Sequence, residues 1–378
     1  MRAVIAIDSF KGSLTSLEAG EAAKAGVLAA DSAHSVAVFP LADGGEGTVE
    51  AIVFGSDARL QRVEVSDPLG RPVLAEYAVT KAGVAVVETA SCAGLTQVKK
   101  EERDPLYTTS YGLGELIAHA VKNGARELIV GLGGSATNDG GVGMLSALGY
   151  RFLDKNGKEI RRGALGLKDL CSIDGSGVLQ ELRECNFTLA CDVKNPLLGA
   201  QGCSAVYGPQ KGATAESVRQ MDEWLQNFAA LTKRIFPNAD ERAAGAGAAG
   251  GLGYAFLVYL NAKMRSGAEL VAEATGLERA IENCDLVLTG EGRMDGQSGM
   301  GKAPVFVASL ARKYGKPVIA LCGSVGEEVE ACNEAGLDGV FSILRSPCSL
   351  EEAMDKSQAQ ANMRAAARQV VRLVKAIR

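Results

Sequence analysis

Short apolar runs alternate with polar, glycine-rich loops and amphipathic segments along the whole chain. Residues 3–7 predict a buried strand, and Thr15 with Glu18 predicts a capping box that opens a helix. A second strand over residues 35–39 and a helix capped by Thr48 complete a second strand–helix unit. This order of elements predicts an α/β fold with parallel strands.

The pattern changes in the middle of the chain. A hairpin around residues 67–70, followed by a third strand, predicts a mixed sheet. From residue 285 onward the strand–helix–strand pattern returns and ends in one amphipathic helix over residues 350–377. We therefore expect one α/β domain built from residues 1–60 and 285–378 and a second, inserted domain over residues 61–284.

A glycine-rich stretch, LIVGLGGSATNDGGVGM over residues 128–144, joins a predicted strand to a predicted helix. Glycines let the backbone approach a ligand closely, and free N–H groups at the helix start favour negative charge. Gly133, Gly134, Ser135 and Asn138 are therefore candidates for binding phosphate, and Asp139 is a candidate metal ligand. A tight turn that needs positive φ is the alternative, but similar loops elsewhere in the chain favour anion binding.

Polar residues follow other predicted strands in the same way. In open α/β sheets, ligands bind at the carboxyl ends of the strands, so these residues are site candidates. Those along the chain are Ser9, Lys11, Ser13, Asp43, Asp192, Lys194, Asn195, Lys211, Glu291, Arg293 and Asp295.

Residues 296–302 match the spacing G-x-x-x-x-G-K, but Ala303 replaces the Ser or Thr that binds Mg²⁺ in a P-loop. Gly299, Gly301 and Lys302 are therefore candidates for a phosphate-binding loop of another kind. An ordinary strand-to-helix loop is the alternative.

The amino-acid composition argues against several kinds of catalytic site and binding partner. Only two of the 378 residues are histidines, which argues against a Ser-His-Asp triad or a His-rich zinc site. The net charge of −5 argues against a nucleic-acid partner. Nine scattered cysteines indicate reduced thiols, and no apolar run reaches about 18 residues, so we expect a cytoplasmic protein without a membrane partner.

The remaining chemistry uses carboxylates, lysines, hydroxyls and backbone amides. Mg²⁺ prefers one or two carboxylates together with waters and substrate phosphates. A carboxylate can also take the proton of a hydroxyl nucleophile, and lysines neutralise phosphate charge. These residues fit phosphoryl transfer, although each carboxylate could instead cap the helix that follows it.

Seven motifs in this order resemble the type-1 family of bacterial glycerate kinases. They are DSFKGS (8–13), PLADGGEGT (40–48), ETASCAGL (88–95), GGSATNDGGVGML (133–145), ACDVKNPLLG (190–199), YGPQKGA (207–213) and TGEGRMDGQSGMGKAP (289–304). The resemblance implies ATP, Mg²⁺ and glycerate as ligands. It also implies a discontinuous Rossmann-like domain, an inserted flavodoxin-like domain and an active site in the cleft between them.

That resemblance implies in-line phosphorylation of (R)-glycerate to 2-phosphoglycerate, with 3-phosphoglycerate as the alternative product. A kinase for another small hydroxy acid and a non-catalytic nucleotide or anion sensor are the rival interpretations. The sequence leaves the oligomeric state open, including a homo-oligomer.

Residue chemistry suggests individual roles. Asp192 is the candidate general base, with Lys11 as a second catalytic residue. The candidates for phosphate or nucleotide binding are Ser9, Ser13, Gly133, Gly134, Ser135, Asn138, Gly299, Gly301 and Lys302. The candidates for substrate binding are Arg71, Arg293, Lys194 and Asn195. One of the two arginines would bind the glycerate carboxylate through two hydrogen bonds. The candidate metal ligands are Asp43, Glu291 and Asp295.

Overall fold

The computed structural model describes residues 1–42, 44–45, 47–300 and 302–377. The candidate residues Asp43 and Gly301 lie outside the described residues. Contacts divide the chain into two compact units. The terminal unit comprises Met1–Asp43, Glu50–Asp57 and Ala268–Arg378, and the inserted unit comprises Gly44–Val49 and Ala58–Gly267.

The strands, in chain order, are β1 (Arg2–Ile7), β2 (Ser35–Val38), β3 (Arg59–Ser66), β4 (Pro72–Val79), β5 (Val84–Glu88), β6 (Glu127–Gly131), β7 (Arg151–Leu153), β8 (Ser172–Asp174), β9 (Asn186–Ala190), β10 (Lys263–Arg265), β11 (Leu286–Gly290), β12 (Arg293–Met294), β13 (Val318–Cys322), β14 (Ser324–Val325) and β15 (Gly339–Ser342).

The α-helices are α1 (Ser16–Ala30), α2 (Thr48–Gly55), α3 (Ala90–Ala93), α4 (Tyr111–Lys122), α5 (Val142–Ala147), α6 (Cys203–Tyr207), α7 (Ala215–Ile235), α8 (Leu252–Tyr259), α9 (Gly267–Thr275), α10 (Leu277–Glu282), α11 (Ala303–Lys313), α12 (Glu330–Glu334), α13 (Leu350–Met354) and α14 (Lys356–Ala376). Short 3₁₀ helices cover Leu95–Gln97, Lys100–Glu102, Ala164–Asp169, Gln180–Glu184, Pro209–Lys211, Ala248–Gly251 and Ser298–Met300.

The terminal unit has a five-stranded, all-parallel sheet in the order β15-β13-β11-β1-β2. Helices cover both faces. On one face, Val27 of α1 and Met363 of α14 pack with Ile5. On the other, Ile281 of α10 and Val307 of α11 join a second core. Because the chain order reverses between β1 and β11, their carboxyl ends form the switch point at which doubly wound sheets bind ligands.

The inserted unit has a six-stranded mixed sheet in the order β10-β9-β6-β5-β4-β3. The strands β10, β9, β6 and β5 are parallel, whereas β4 runs antiparallel to both β5 and β3. The predicted hairpin and mixed sheet are confirmed. Leu128 and Val130 of β6 are fully buried in a core shared with α4, α5, α7 and α8.

Two sequence expectations differ from the structure. Residues 268–284, expected in the inserted domain, belong to the terminal unit, where Leu277 and Ile281 pack in its core. The predicted helix over residues 350–377 is two helices, because Asp355 adopts a non-helical conformation with ψ 126°. Its carboxylate accepts a hydrogen bond from the Gln358 N–H and caps α14.

All nine cysteines are free thiols. None of the helices in the described parts of the chain combines the length and apolar character that a bilayer crossing needs. The expected cleft between the two domains stays a prediction.

Candidate active site

Two acidic residues follow the neighbouring central strands of the terminal unit. Asp8 comes after β1 and Glu291 after β11, and Ile7 pairs with Gly290 in the parallel register. The Asp8 N–H donates to the Gly290 carbonyl at 2.8 Å. Since adjacent strands lie about 4.8 Å apart, the two loops begin side by side at the switch point.

Glu291 is largely buried, and both acidic and basic side chains lie near it. Burial raises the pKa of its carboxyl group and the nearby Asp295 carboxylate adds to the rise, while a hydrogen bond with Ser298 and the charges of Lys302 and Lys11 act against it. Its Oε1 is buried and has no hydrogen-bond partner among the described residues. A buried oxygen of this kind is suited to accept a bound cation or a hydrogen-bond donor from a ligand.

The loop after β11 holds the other candidates of this unit. Arg293 is 69% exposed, and its Nε lies 3.3 Å from the Asp295 carboxylate. The other Asp295 oxygen accepts from the Gln297 N–H at 3.0 Å. Lys302 is the N-cap residue of α11 and is exposed, and Gly299 lies in the preceding 3₁₀ turn. The structure thus brings Glu291, Asp295 and Lys302 into one loop region.

The loop after β1 closes into a tight turn. The Ser13 N–H donates to the Phe10 carbonyl at 2.7 Å, and Gly12 has a φ of +80°, which favours glycine. The Ser13 Oγ is buried without a partner among the described residues. Lys11 is exposed, and its charge acts on Glu291, so the turns after β1 and β11 are neighbours.

In the inserted unit, three glycine-containing segments meet at the carboxyl ends of β6 and β9. The Gly133 N–H donates to the Gly44 carbonyl at 3.1 Å. A Cβ on Gly133 would lie 2.3 Å from the Gly45 Cα, and one on Gly44 would lie 2.2 Å from the Ala190 carbonyl oxygen. Only glycine allows these backbones to approach so closely.

The turn from Ser135 to Asn138 is buried and held from several sides. Lys211, only 2% exposed, donates from Nζ to the Ser135 Oγ at 2.9 Å and to the Thr137 carbonyl at 2.6 Å. The Asn138 Nδ2 donates to the Ser204 Oγ at 2.8 Å. In the described residues, Thr137 Oγ1 and Asn138 Oδ1 are buried and unpartnered.

Burial lowers the pKa of Lys211 to about 8, although the nearby Cys203 and Asp139 act in the opposite direction. The motif YGPQKGA marked Lys211 as one of several loop lysines, but periodicity gave no sign that the ammonium is buried. Its burial beside the glycine-rich turn is a feature that only the structure provides.

Asp139, expected as a candidate metal ligand, is an internal hydrogen-bond acceptor. It is 1% exposed and accepts from the Ser110 N–H and hydroxyl at 2.8 and 3.0 Å. The N–H groups of Gly141 and Gly143 donate to it at 3.1 and 3.2 Å. Burial raises the pKa of Asp139, and these hydrogen bonds oppose the rise. Its position fixes the start of α5 to the start of α4.

The residues after β9 are more accessible. Asp192 and Lys194 are exposed. Asn195 is half-buried; its amide donates to the Gln201 carbonyl and accepts from the Tyr207 hydroxyl, both at 2.8 Å. Because both ends of the Asn195 amide are occupied, the residue stabilises its own loop.

Arg71 lies in the turn between β3 and β4, at the same sheet edge as Asp192 but near its far end. Its Nε donates to Asp67 at 2.7 Å, and its Nη1 lies 3.3 Å from Glu102. Three to four strand spacings of about 4.8 Å place the turn roughly 14–19 Å from Asp192. The structure therefore does not bring Arg71 to Asp192.

A metal site formed by the protein alone is not present: the described residues contain no group of three or more His, Cys, Asp or Glu side chains that could hold an ion. Mg²⁺ needs fewer protein ligands when phosphates and waters complete its shell. The unpartnered Glu291 oxygen and the half-buried Asp295 carboxylate fit that sparser requirement.

A doubly wound parallel sheet with charged loops at its switch point, and a buried glycine-rich turn at a second sheet, define an α/β protein suited to small anionic ligands. Comparison with known proteins specifies the class further. The profile of the Glycerate kinase family matches residues 3–375. The Glycerate kinase of Halalkalibacterium halodurans is 45% identical over 354 residues, covering 93% of both chains.

The Glycerate 2-kinase of Escherichia coli K12 is 44% identical and covers 93% of both chains. A crystal structure assigned as glycerate kinase 2 of Salmonella typhimurium LT2 matches with a TM-score of 0.86 and 45% identity, covering 100% of this chain and 98% of the other. The chain therefore belongs to the glycerate kinase family, and as a member it is a kinase. The expected family and the α/β fold class are confirmed.

Proposed function

We propose that the chain transfers the γ-phosphoryl group of ATP in line to the 2-hydroxyl of (R)-glycerate, producing 2-phosphoglycerate, with Mg²⁺ as the metal and in the cytoplasm. The observation that carries the proposal is the Escherichia coli Glycerate 2-kinase, 44% identical along 93% of both chains. Carboxylates, lysines and buried amides at the strand ends supply the groups that phosphoryl transfer requires.

Asp192 is the proposed general base. It is an exposed carboxylate at the carboxyl end of a central strand, where a substrate hydroxyl can reach it. By accepting the hydroxyl proton as the new O–P bond forms, it would make the oxygen a better nucleophile. Lys194, exposed two residues later, would attract the anionic substrate, and Asn195 would keep the loop in place.

Glu291 and Asp295 are the proposed protein ligands of Mg²⁺. When bound, the ion would neutralise charge on the transferred phosphate. Both carboxylates lie in the loop after β11, and Ser298 fixes that loop by accepting the Asp295 N–H. Asp43, the third expected ligand, lies outside the described residues.

Each unit, taken by itself, offers groups that would bind phosphate oxygens. In the terminal unit, the exposed Lys11 and Lys302 supply charge, Ser9 and Ser13 supply donors, and Gly299 leaves room for close approach. In the inserted unit, the backbone of residues 133–138 is the proposed anion cradle, with Gly134, Ser135 and Asn138 as its polar and flexible positions.

Arg293 is the proposed clamp for the glycerate carboxylate. Its guanidinium is 69% exposed and touches a single carboxylate among the ion pairs of the described residues. Arg71 already donates from Nε to Asp67 and from Nη1 to Glu102, so part of its donor set is engaged within the protein. We therefore favour Arg293 over Arg71 for bidentate carboxylate binding.

The experiment is ATP consumption with and without (R)-glycerate. A glycerate kinase consumes ATP at a rate that saturates with glycerate. A nucleotide sensor binds ATP without turnover, and a kinase for another hydroxy acid shows turnover only with that acid. Either of the last two results would overturn the proposal.

A further inference from the structure

The buried lysine at position 211 is not part of the proposed chemistry, yet it lies against the proposed anion cradle. Its Nζ donates to the Ser135 Oγ and to the Thr137 carbonyl, and no carboxylate forms an ion pair with it in the described residues. Burying an ammonium group without a paired carboxylate is costly. A buried ammonium group without a paired carboxylate, placed beside a proposed ligand-binding loop, therefore points to a functional role.

The chemistry of the ammonium group fixes the direction of the hydrogen bond between Lys211 and Ser135. An ammonium group has three donors and no acceptor, so Ser135 Oγ must accept from Lys211. The Ser135 hydroxyl hydrogen then points away from Lys211. The described residues provide no acceptor for it, and Ser135 is 6% exposed. The hydroxyl is left able to donate to a ligand.

We propose that Lys211 is a positioning residue that fixes the Ser135 hydroxyl as a hydrogen-bond donor to an anionic oxygen of the bound ligand. The same ammonium holds the Thr137 carbonyl, and so keeps the Ser135–Asn138 turn closed around its backbone N–H groups. This inference rests on the proposed function, in which residues 133–138 bind a phosphate oxygen. A glycerate carboxylate would offer the same acceptor chemistry.

The role has a built-in pH dependence. Burial lowers the pKa of Lys211 to about 8. The titratable groups that face it are Asp139, from the loop after β6, and Cys203, from α6. Burial raises the pKa of Cys203 to about 11, so this thiol stays neutral while Lys211 titrates. Asp139 is held by its own N–H donors.

Loss of the Lys211 proton reverses the hydrogen bond. A neutral amine has a lone pair, so it can accept the Ser135 hydroxyl hydrogen, which is then withdrawn from the ligand. Ligand affinity is therefore full well below pH 8 and falls as the pH rises through about 8. Reciprocally, a bound anion stabilises the charged lysine and raises its pKa.

The test is steady-state kinetics from pH 6.5 to 9.5 for the wild type, Lys211→Met, Ser135→Ala and the double variant. The exposed Lys168→Met variant is the matched control for loss of a lysine. We expect KM for one substrate to be raised about tenfold at pH 7 in each single variant, with its rise above pH 8 abolished and kcat changed less. The substrate whose KM responds, ATP or glycerate, identifies the anionic oxygen.

The double variant separates positioning from general structural support. If Lys211 acts through Ser135, the double variant has the same KM as Lys211→Met alone, because Ser135→Ala then removes nothing that loss of the ammonium has not already removed. Multiplying effects, or a pH-dependent KM that persists in Ser135→Ala, would overturn the inference. Unchanged KM values for both substrates in Lys211→Met would do so as well.

A second readout does not depend on turnover. In protein labelled with ¹³C at the lysine ε-carbon, the resonance absent from Lys211→Met should titrate near pH 8, and near a higher pH with ATP or glycerate bound. An unshifted titration with both ligands contradicts the inference. Wild-type enzyme that does not phosphorylate glycerate contradicts the proposed function instead, and the titration still decides the role of Lys211.

Discussion

The hydrogen bonds around Asp139 give a prediction whose magnitude follows from the structure. Asp139→Ala removes a buried carboxylate that accepts from the backbone of Ser110, Gly141 and Gly143. Each buried donor left without a partner costs about 1–3 kcal/mol. Removing the carboxylate also removes its burial penalty, which is visible in its raised pKa. The expected net loss of unfolding free energy is therefore about 3–5 kcal/mol.

Asp139→Asn keeps one acceptor oxygen of nearly the same shape. It can satisfy part of the donor set, but its NH₂ group meets further donors, so we expect a smaller loss of about 1–3 kcal/mol. The ordering of the two variants, Ala worse than Asn, is as diagnostic as either value. Asp169→Asn, at an exposed position of the same unit, should change the free energy by less than about 0.5 kcal/mol.

Urea unfolding followed by tryptophan fluorescence measures this directly. The chain has one tryptophan, Trp224, which packs half-buried against the core of the inserted unit, so its signal reports on that unit. A midpoint for Asp139→Ala that matches the wild type, at an unchanged denaturant slope, would refute the inferred contribution of this network.

Three further predictions concern the proposed chemistry. Asp192→Asn should lower kcat by about 10²–10⁴-fold while leaving the melting temperature unchanged, because the residue is exposed; wild-type turnover would remove the base assignment. Lys302→Ala should weaken ATP binding about five- to thirtyfold in an equilibrium titration, and unchanged affinity would discard its phosphate contact. Glu291→Gln should raise the Mg²⁺ concentration needed for half-maximal activity about tenfold, and an identical Mg²⁺ titration would exclude it as a ligand.

Elements with a local signal were predictable. Thr15 and Glu18 form the expected capping box, and α1 follows it. The strand at residues 84–88 and the helix at 142–147 lie where the apolar patterns place them. Pro304 lies in the first turn of α11, where its missing N–H is tolerated. In each case the deciding interaction joins residues a few positions apart.

Features that depend on distant residues were not predictable. The break at Asp355 was missed because apolar spacing continues through it, while the cap is formed by the conformation of one residue. Residues 268–284 belong to the terminal unit because their apolar side chains fit its core, and periodicity does not specify which sheet a helix covers. Likewise, the burial of Lys211 and Asp139 follows from contacts with segments 29 to 76 positions away.

The proposed activity is tested by the ³¹P NMR spectrum of a reaction of the purified wild-type chain with ATP, Mg²⁺ and (R)-glycerate. The proposed activity predicts a new phosphomonoester resonance that matches authentic 2-phosphoglycerate and grows as ATP is converted to ADP. A resonance matching 3-phosphoglycerate would contradict the proposed acceptor hydroxyl. A spectrum with ATP unchanged would contradict the proposed activity altogether.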